Sequence, residues 1–229
     1  MTKNSNTILF LGKNNDSHTQ KALQFLRSNF SKVDCYFGNF GEELPHDELA
    51  LWNGDYILSY LSPWIIPEFV LKKAKIAAIN FHPAPPAYPG IGCTNFALYD
   101  GITEYGVTCH YMIPEVDSGK IIAVKKFSIF ETDSVSSVLM RTYDYQLALF
   151  YDIIGLIINN ITLPNSDEIF SANKRTRKQL NELAIINLGM TKDEIKKRIR
   201  ATNFGKWKPM VEIQGFKFEF IPLEDNYND

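Results

Sequence analysis

Two polar side chains, Asn80 and His82, stand at the end of an apolar run, just before a loop rich in proline. In an extended strand, residues two positions apart point to the same side, so the amide and the imidazole can face one pocket. An amide donates hydrogen bonds to a developing oxyanion, and an imidazole exchanges a proton near neutral pH. The pair therefore indicates a site that handles an oxyanion and a proton, although both side chains could instead satisfy backbone groups of the loop.

A carboxylate follows at Asp117, within the turn sequence Ile113-Pro-Glu-Val-Asp-Ser-Gly119. If this carboxylate lies beside His82, it would hold the imidazole in one tautomer and stabilise its protonated form. An Asp-Ser-Gly turn also caps itself through Asx hydrogen bonds. Position alone therefore leaves a structural role for Asp117 open.

The other histidines and the cysteines form no pattern typical of a metal site. His18 and His46 stand in polar surroundings and are expected at the surface, whereas His110 lies in an apolar run and could face either the core or the site. Three cysteines are spread along the chain: Cys35, Cys93 and Cys109. Without a CxxC pair, we expect reduced thiols, no metal and a cytoplasmic protein.

The elements that must position these residues alternate between strand and helix patterns in the first half of the chain. Residues 17–29 have helical spacing, and Pro67 opens a short helix to residue 73. Strand-like runs occur at 7–12, 33–37, 55–61 and 76–81. Strands separated in this way predict an α/β fold with a Rossmann-like, mainly parallel sheet, whose carboxyl edge is the usual place for a ligand.

The second half of the chain contributes two more strands, a long helix and a small extension. Strands are predicted at 106–112 and 120–127, and a helix at 134–159. Thr191 begins a further helix, and the runs 211–213 and 216–220 form a hairpin around Gln214 and Gly215. We therefore divide the chain into a catalytic domain, 1–170, and a C-terminal extension with a helix and a hairpin, 171–229.

Composition excludes several classes of protein. Of 229 residues, 24 are Lys or Arg and 26 are Asp or Glu, so the formal charge is −2, which argues against a nucleic-acid partner. The apolar run after the polar start, 8–11, is too short for a signal peptide. The longest apolar stretch, 147–158, is short and interrupted, so no membrane association is expected.

The ordered motifs Asn80-x-His82, a proline-rich loop closing on Gly90, Gly106-Val-Thr-x-His110 and Asp117-x-Gly119 resemble the folate-dependent formyltransferases. The resemblance is strongest over residues 55–130. It implies the formyltransferase fold, N10-formyltetrahydrofolate as the formyl donor, and catalytic roles for Asn80, His82 and Asp117.

The same resemblance implies a pocket for the pterin of the donor. The segment Ser62-Pro-Trp64-Ile65-Ile66 stands where the family wraps backbone around the pterin, and Ile113, Pro114 and Val116 stand on the opposite wall. Core packing is the alternative role for the apolar side chains of the first segment.

Among acceptors, the loop Pro85-Pro-x-Tyr88-x-Gly90-Ile-Gly-Cys93 is most similar to the sugar N-formyltransferases. This subgroup implies a nucleotide-linked amino sugar, first dTDP-4-amino-4,6-dideoxyglucose and next its 3-amino isomer, in surface polysaccharide (O-antigen) biosynthesis. Residues 12–17 contain a single glycine, unlike the phosphate loop of glycinamide ribonucleotide formyltransferase. The chain after Asn159 is too short for the extra domain of methionyl-tRNA formyltransferase.

Five residues are predicted to contact the acceptor: Tyr88, Gly90, Arg200, Phe204 and Trp207. Arginine binds phosphates, and aromatic rings stack on a base. The aromatic hairpin predicts a homodimer through the C-terminal region. Three other functions stay open: a formyltetrahydrofolate hydrolase, a glycinamide ribonucleotide-type enzyme and a non-catalytic binding protein.

Overall fold

A six-stranded sheet lies at the centre of residues 3–205 and 207–222, which are the residues that the computed structural model describes. Its strands are β1 (Asn4–Lys13), β2 (Phe30–Gly38), β3 (Gly54–Tyr60), β4 (Ala74–His82), β5 (Glu104–Tyr111) and β6 (Ile121–Ser128). They are ordered β2-β1-β3-β4-β5-β6. β1 to β4 are mutually parallel, and β5 runs antiparallel to both of its neighbours, β4 and β6. The predicted α/β fold with a mainly parallel sheet is confirmed.

Seven helices accompany the strands within the described residues. They are α1 (Ser17–Asn29), α2 (His46–Leu51), α3 (Glu68–Leu71), α4 (Cys93–Asp100), α5 (Val135–Ile158), α6 (Arg177–Leu183) and α7 (Lys192–Thr202). Asp16 caps α1 by accepting from the backbone N–H of Thr19, and Ser134 forms a capping box with Ser137 at the start of α5. The short helices α2 and α6 were not predicted. No helix in the described part of the chain is long and apolar enough to span a membrane.

A small three-stranded sheet ends the described chain. It contains β7 (Ile185–Ile186), β8 (Met210–Ile213) and β9 (Phe216–Glu219), in that order. Gln214 and Gly215 join β8 to β9 with φ values of 52° and 81°, as a two-residue hairpin turn requires. The predicted hairpin is confirmed, although its second strand ends one residue earlier than expected. Residues 223–229 of the predicted extension lie outside the described residues.

Apolar side chains fill both faces of the large sheet, as expected for parallel strands covered on two sides. One cluster packs under α1 and α5 and includes Phe10, Tyr60, Phe81 and Phe150. A second cluster covers the opposite face beneath α2 and α3. A third packs α4 against α7 and the start of α5. These clusters fix the carboxyl edge of the sheet, where the polar residues of interest lie.

Candidate active site

The pairing of β4 with β5 brings three polar side chains together at the carboxyl end of β4. The strands are antiparallel, and Asn80 stands opposite His110. The amide Nδ2 of Asn80 lies 3.1 Å from Nε2 of His110. His82, two residues after Asn80, lies in the same buried group. The predicted proximity of Asn80 and His82 therefore extends to a second imidazole.

Asp117 completes the group from the loop after β5. Its Oδ1 lies 3.4 Å from Nδ1 of His82 and 3.8 Å from Nε2 of His110. Its Oδ2 accepts a hydrogen bond of 3.1 Å from the backbone N–H of Gly90. The side chain is 6% exposed, and the residue has a positive φ of 48°. The carboxylate thus reaches out of its own turn, toward both imidazoles.

Both ring nitrogens of His82 face hydrogen-bond acceptors. Nδ1 faces the Asp117 carboxylate, and Nε2 lies 3.3 Å from the backbone carbonyl of Tyr88. A protonated imidazole could donate to both groups, whereas a neutral one can donate to only one. The surroundings of His82 therefore suit a residue that carries a proton during a reaction.

His110 is the residue of this group that the sequence left undecided between core and site. Its imidazole is 3% exposed, and burial lowers its pKa to about 4, with further lowering from His82. The ring is therefore neutral at neutral pH. The signal that assigns it to the site is the register of β4 against β5, which no local sequence pattern specifies.

Residues 170–176, which we name the strap, run across the group beside the proline-rich loop. Ser171 donates to the carbonyl of Pro86, and Arg175 to that of Pro89. The ring of Phe170 contacts the imidazoles of His82 and His110 edge-on, with centroid distances of 6.2 and 5.0 Å. Sequence reasoning missed Phe170, because only its position on the strap brings it to the site.

Gly90 is the point where the proline-rich loop, the strap and Asp117 meet. Its φ is +96°, and a Cβ at this position would collide with the carbonyl of Arg175. Its N–H binds Asp117, and its carbonyl accepts from Sγ of Cys93 at 3.3 Å. Gly90 therefore has a scaffolding role here, and its predicted contact with an acceptor stays a prediction.

Cys93 and Cys109 are poor candidates for a nucleophile. Burial raises the pKa of the Cys93 thiol to about 12, and it raises that of Cys109 well above its usual value. Both are therefore protonated thiols near neutral pH, whereas a cysteine nucleophile reacts as the thiolate. Within residues 3–205 and 207–222, no three His, Cys, Asp or Glu side chains are grouped as metal ligands.

The two loops predicted to surround a pterin lie on the same face of the sheet. Trp64 lies in the first loop, and Met112 directly precedes the second. Both pack against the apolar cluster that contains Ile66. Nε1 of Trp64 also donates to the carbonyl of Glu42, and Ser62 Oγ accepts from the Trp64 N–H. Ile66 is buried, so core packing accounts for its side chain.

Other side chains of the same loops are open to solvent. Ile65 is 72% exposed, Ile113 46% and Val116 45%, and Pro114 is exposed as well. Lys174 of the strap fixes the second loop by donating to the Glu115 carboxylate and the Val116 carbonyl. Exposed aliphatic groups on two fixed loops are suited to hold a flat aromatic ring, but donor binding by these residues stays a prediction.

Two of the residues predicted to bind the acceptor make contacts within the protein. Tyr88 is 9% exposed, and its hydroxyl donates to Asp100, so its ring is not free to stack on a base. Arg200 donates to the backbone carbonyls of Asp133 and Phe130. The structure thus gives both residues structural contacts, and their predicted contacts with an acceptor stay predictions.

Phe204 and Trp207 remain candidates for the acceptor site. Their backbones form a reciprocal pair of hydrogen bonds of 2.8 Å each, which places them side by side. Trp207 is 51% exposed, and the guanidinium of Arg177 lies 5.3 Å from its ring centroid. An exposed aromatic ring beside a cation is suited to a nucleotide, and its contact with one stays a prediction.

Residues 40–154, half of the chain, match the formyl transferase family. The phosphoribosylglycinamide formyltransferase of Haemophilus influenzae is 32% identical over 142 residues, which cover 60% of this chain and 61% of that protein. The methionyl-tRNA formyltransferase of Listeria welshimeri is 35% identical over 92 residues, 40% of this chain and 30% of that protein. The chain thus spans less than two thirds of these relatives.

Solved structures match almost the whole chain. A sugar N-formyltransferase from a Shewanella species has a TM-score of 0.73 at 19% identity and covers 93% of this chain and 96% of its own. A 4-N formyltransferase from Francisella tularensis has a TM-score of 0.76 at 18% identity, with 95% and 97% covered. An N-formyltransferase from Helicobacter canadensis, in complex with folinic acid and dTDP-3-aminofucose, has a TM-score of 0.71 at 22% identity, with 91% and 84% covered. These similarities show a shared fold.

Proposed function

This chain belongs to the formyl transferase family, and on that premise we propose that it transfers a formyl group from N10-formyltetrahydrofolate to the amine of a nucleotide-linked amino sugar. The observation that carries the proposal is the convergence of Asn80, His82 and Asp117 at the carboxyl end of β4, beside two loops with exposed aliphatic side chains. The acceptor class is supported by the fold shared with sugar N-formyltransferases over more than nine tenths of the chain.

The reaction requires one bond to form, one to break and one proton to move. The amine nitrogen of the acceptor forms a bond to the formyl carbon, and the bond from that carbon to N10 of the donor breaks. One proton leaves the amine nitrogen and one is delivered to N10. The products are the N-formyl sugar and tetrahydrofolate, so the reaction balances without an oxidant or a reductant.

Each member of the trio has a role that its geometry supports. Asn80 donates from its amide nitrogen to the formyl oxygen while negative charge develops on it. His82, with acceptors at both ring nitrogens, holds and transfers the proton. Asp117 orients the His82 ring and stabilises its protonated form from 3.4 Å.

For the acceptor, we propose dTDP-4-amino-4,6-dideoxyglucose, with the 3-amino isomer next, in surface polysaccharide (O-antigen) biosynthesis. The Helicobacter protein is similar in fold and was solved with dTDP-3-aminofucose, which supports the class of ligand. The Trp207 ring beside Arg177 offers a place for the nucleotide. All three cysteines are free thiols, in keeping with a cytoplasmic enzyme.

A spectrophotometric assay of tetrahydrofolate release tests the function. We expect release only when an amino sugar linked to a nucleotide is added, because the neutral amine is the nucleophile. Release with no acceptor would instead indicate a formyltetrahydrofolate hydrolase. Release with glycinamide ribonucleotide would indicate a glycinamide ribonucleotide-type enzyme. No release with any acceptor in a panel of dTDP- and UDP-linked amino sugars would overturn the proposal in favour of a binding protein.

We also propose that the chain forms a homodimer through its C-terminal sheet. β9 is an edge strand, and its Phe216 and Phe218 are 71% and 56% exposed on one face. An exposed aromatic edge strand is a template for pairing with a second copy.

Replacing Phe218 by Asp is expected to weaken the dimer by roughly 30-fold, the loss typical of a central aromatic contact. Sedimentation equilibrium measures the dissociation constant. Lys217→Asp is the matched control, because the neighbouring residue in a strand points to the opposite face. A wild-type chain that sediments as a monomer, or equal weakening by both variants, would contradict the proposal.

A further inference from the structure

The hydrogen bonds of His110 define which of its ring nitrogens carries the proton. Nδ1 lies 2.9 Å from the carbonyl oxygen of Tyr111. A carbonyl oxygen can only accept, so Nδ1 must be the donor. In a neutral ring, Nε2 then holds a lone pair, and it accepts from the Asn80 amide 3.1 Å away. The contact therefore requires the nitrogen of that amide, and not its oxygen, to face His110.

The surroundings keep the His110 ring neutral and in one orientation. It is almost completely buried, and the ionisable groups that face it are His82 and Asp117. Phe170 of the strap packs its ring at 82° to the imidazole, with 5.0 Å between centroids. Gly119 lets the Asp117 loop pass close to the Tyr111 carbonyl, with which a Cβ at this position would collide.

Asn80 has two possible orientations of its amide, and only one suits its proposed role. With the nitrogen toward His110, the same nitrogen has a second N–H that can donate to a developing oxyanion. With the amide reversed, its oxygen would face the lone pair of Nε2, and two acceptors 3.1 Å apart repel each other. An intact His110 therefore selects the productive orientation before any substrate arrives.

We propose that His110 is a positioning residue that fixes the Asn80 amide with its N–H groups directed for formyl transfer. This inference rests on the proposed function, in which Asn80 stabilises the formyl oxygen. His110 acts through Asn80 and is not required to touch the substrate. The other possibility is that His110 only stabilises β5, and the two roles predict different results.

A double-mutant cycle distinguishes the two roles. His110→Ala is expected to lower kcat by about 10- to 100-fold, the cost of a misplaced catalytic group, with KM changed less than about 2-fold. In an Asn80→Ala background, the same replacement should lower kcat by less than about 2-fold, because the group it positions is gone. His110→Gln, whose side-chain oxygen can accept from Asn80, should recover part of the loss.

The control variant is Val107→Ala, which shortens a buried side chain of the same strand. It should lower the melting temperature but leave kcat close to that of the wild type. Equal losses of kcat in the wild-type and Asn80→Ala backgrounds would overturn the proposal, as would a failure of His110→Gln to exceed His110→Ala. If His110→Ala does not fold, His110→Gln takes its place in the cycle. Its loss of kcat is then measured in the wild-type and Asn80→Ala backgrounds, and equal losses in the two would overturn the proposal.

A second readout does not depend on activity. Nitrogen-15 NMR of the imidazoles in the substrate-free protein at pH 7 should show His110 protonated at Nδ1 and unprotonated at Nε2. Protonation at Nε2 would mean that the Asn80 oxygen faces the ring, and the proposal would be overturned. If the wild-type protein formylates no acceptor, the proposed function fails, while this spectrum still tests the hydrogen bond between His110 and Asn80.

Discussion

Replacing Asn80 by Ala will lower kcat by about 10²- to 10³-fold and change the KM for the amino sugar much less, because the lost amide donates to an oxygen that becomes charged only in the transition state. The amide lies at the carboxyl end of β4, held by His110 at 3.1 Å. Steady-state kinetics of tetrahydrofolate release, with each substrate varied, give the two constants.

Asn4→Ala provides a matched control for this variant. Asn4 also donates from its amide nitrogen, to carbonyls at the end of α5, but at the amino end of β1 and so at the opposite edge of the sheet. Its replacement should cost about 1 kcal/mol of the free energy of unfolding and leave kcat unchanged. An Asn80→Ala enzyme with wild-type turnover would remove the role in catalysis.

Local sequence patterns account for much of the sheet and for two of the three members of the trio. The apolar run before Asn80 and the prolines after His82 mark the end of β4, and the two-residue period of a strand predicts that both side chains face one pocket. The contribution of Asp117 followed from the resemblance to formyltransferases, since its turn alone allowed a structural role. The contact of its Oδ1 with His82 now supports that assignment.

Two residues, one that the sequence left undecided and one that it missed, are brought to the site by contacts distant in sequence. His110 reaches Asn80 across 30 positions, because β5 returns antiparallel to β4 in one specific register. Phe170 reaches His82 only because the strap follows the proline-rich loop, through backbone hydrogen bonds such as that from Ser171 to Pro86. A backbone hydrogen bond leaves no signature in side-chain pattern, so neither contact could be predicted locally.

The unpredicted elements are short and depend on tertiary packing. α6 has seven residues, too few to be stable alone, and it is held by a capping box at Thr176 and by burial of Leu183. β7 has two residues and exists by pairing with β8. Likewise, residue type suggested Arg200 as a phosphate ligand, yet its guanidinium binds carbonyls of the loop after β6. Residue type alone does not reveal such contacts within the protein.

Replacing Asp117 by Asn will lower kcat by about 10²- to 10⁴-fold and change the pH dependence of kcat, with little loss of stability. Asn adopts the positive φ of this position readily, and its oxygen can still accept from Gly90. Its amide nitrogen would then face Nδ1 of His82 and donate to it, which holds His82 as the tautomer protonated at Nε2. Measurements of kcat from pH 5 to 9 test both effects.

The control for this variant is Asp55→Asn, because Asp55 likewise accepts from a backbone N–H, that of Thr7, at 2.7 Å. It lies at the amino end of β3, so its replacement should leave both kcat and the pH profile unchanged. If Asp117→Asn keeps a wild-type rate and profile, the carboxylate serves only to tie its loop to Gly90. If it loses rate while the melting temperature is kept, the reaction needs the carboxylate that faces His82, for its charge and for the tautomer that it selects. The hydrogen bond to Gly90 is common to both proteins.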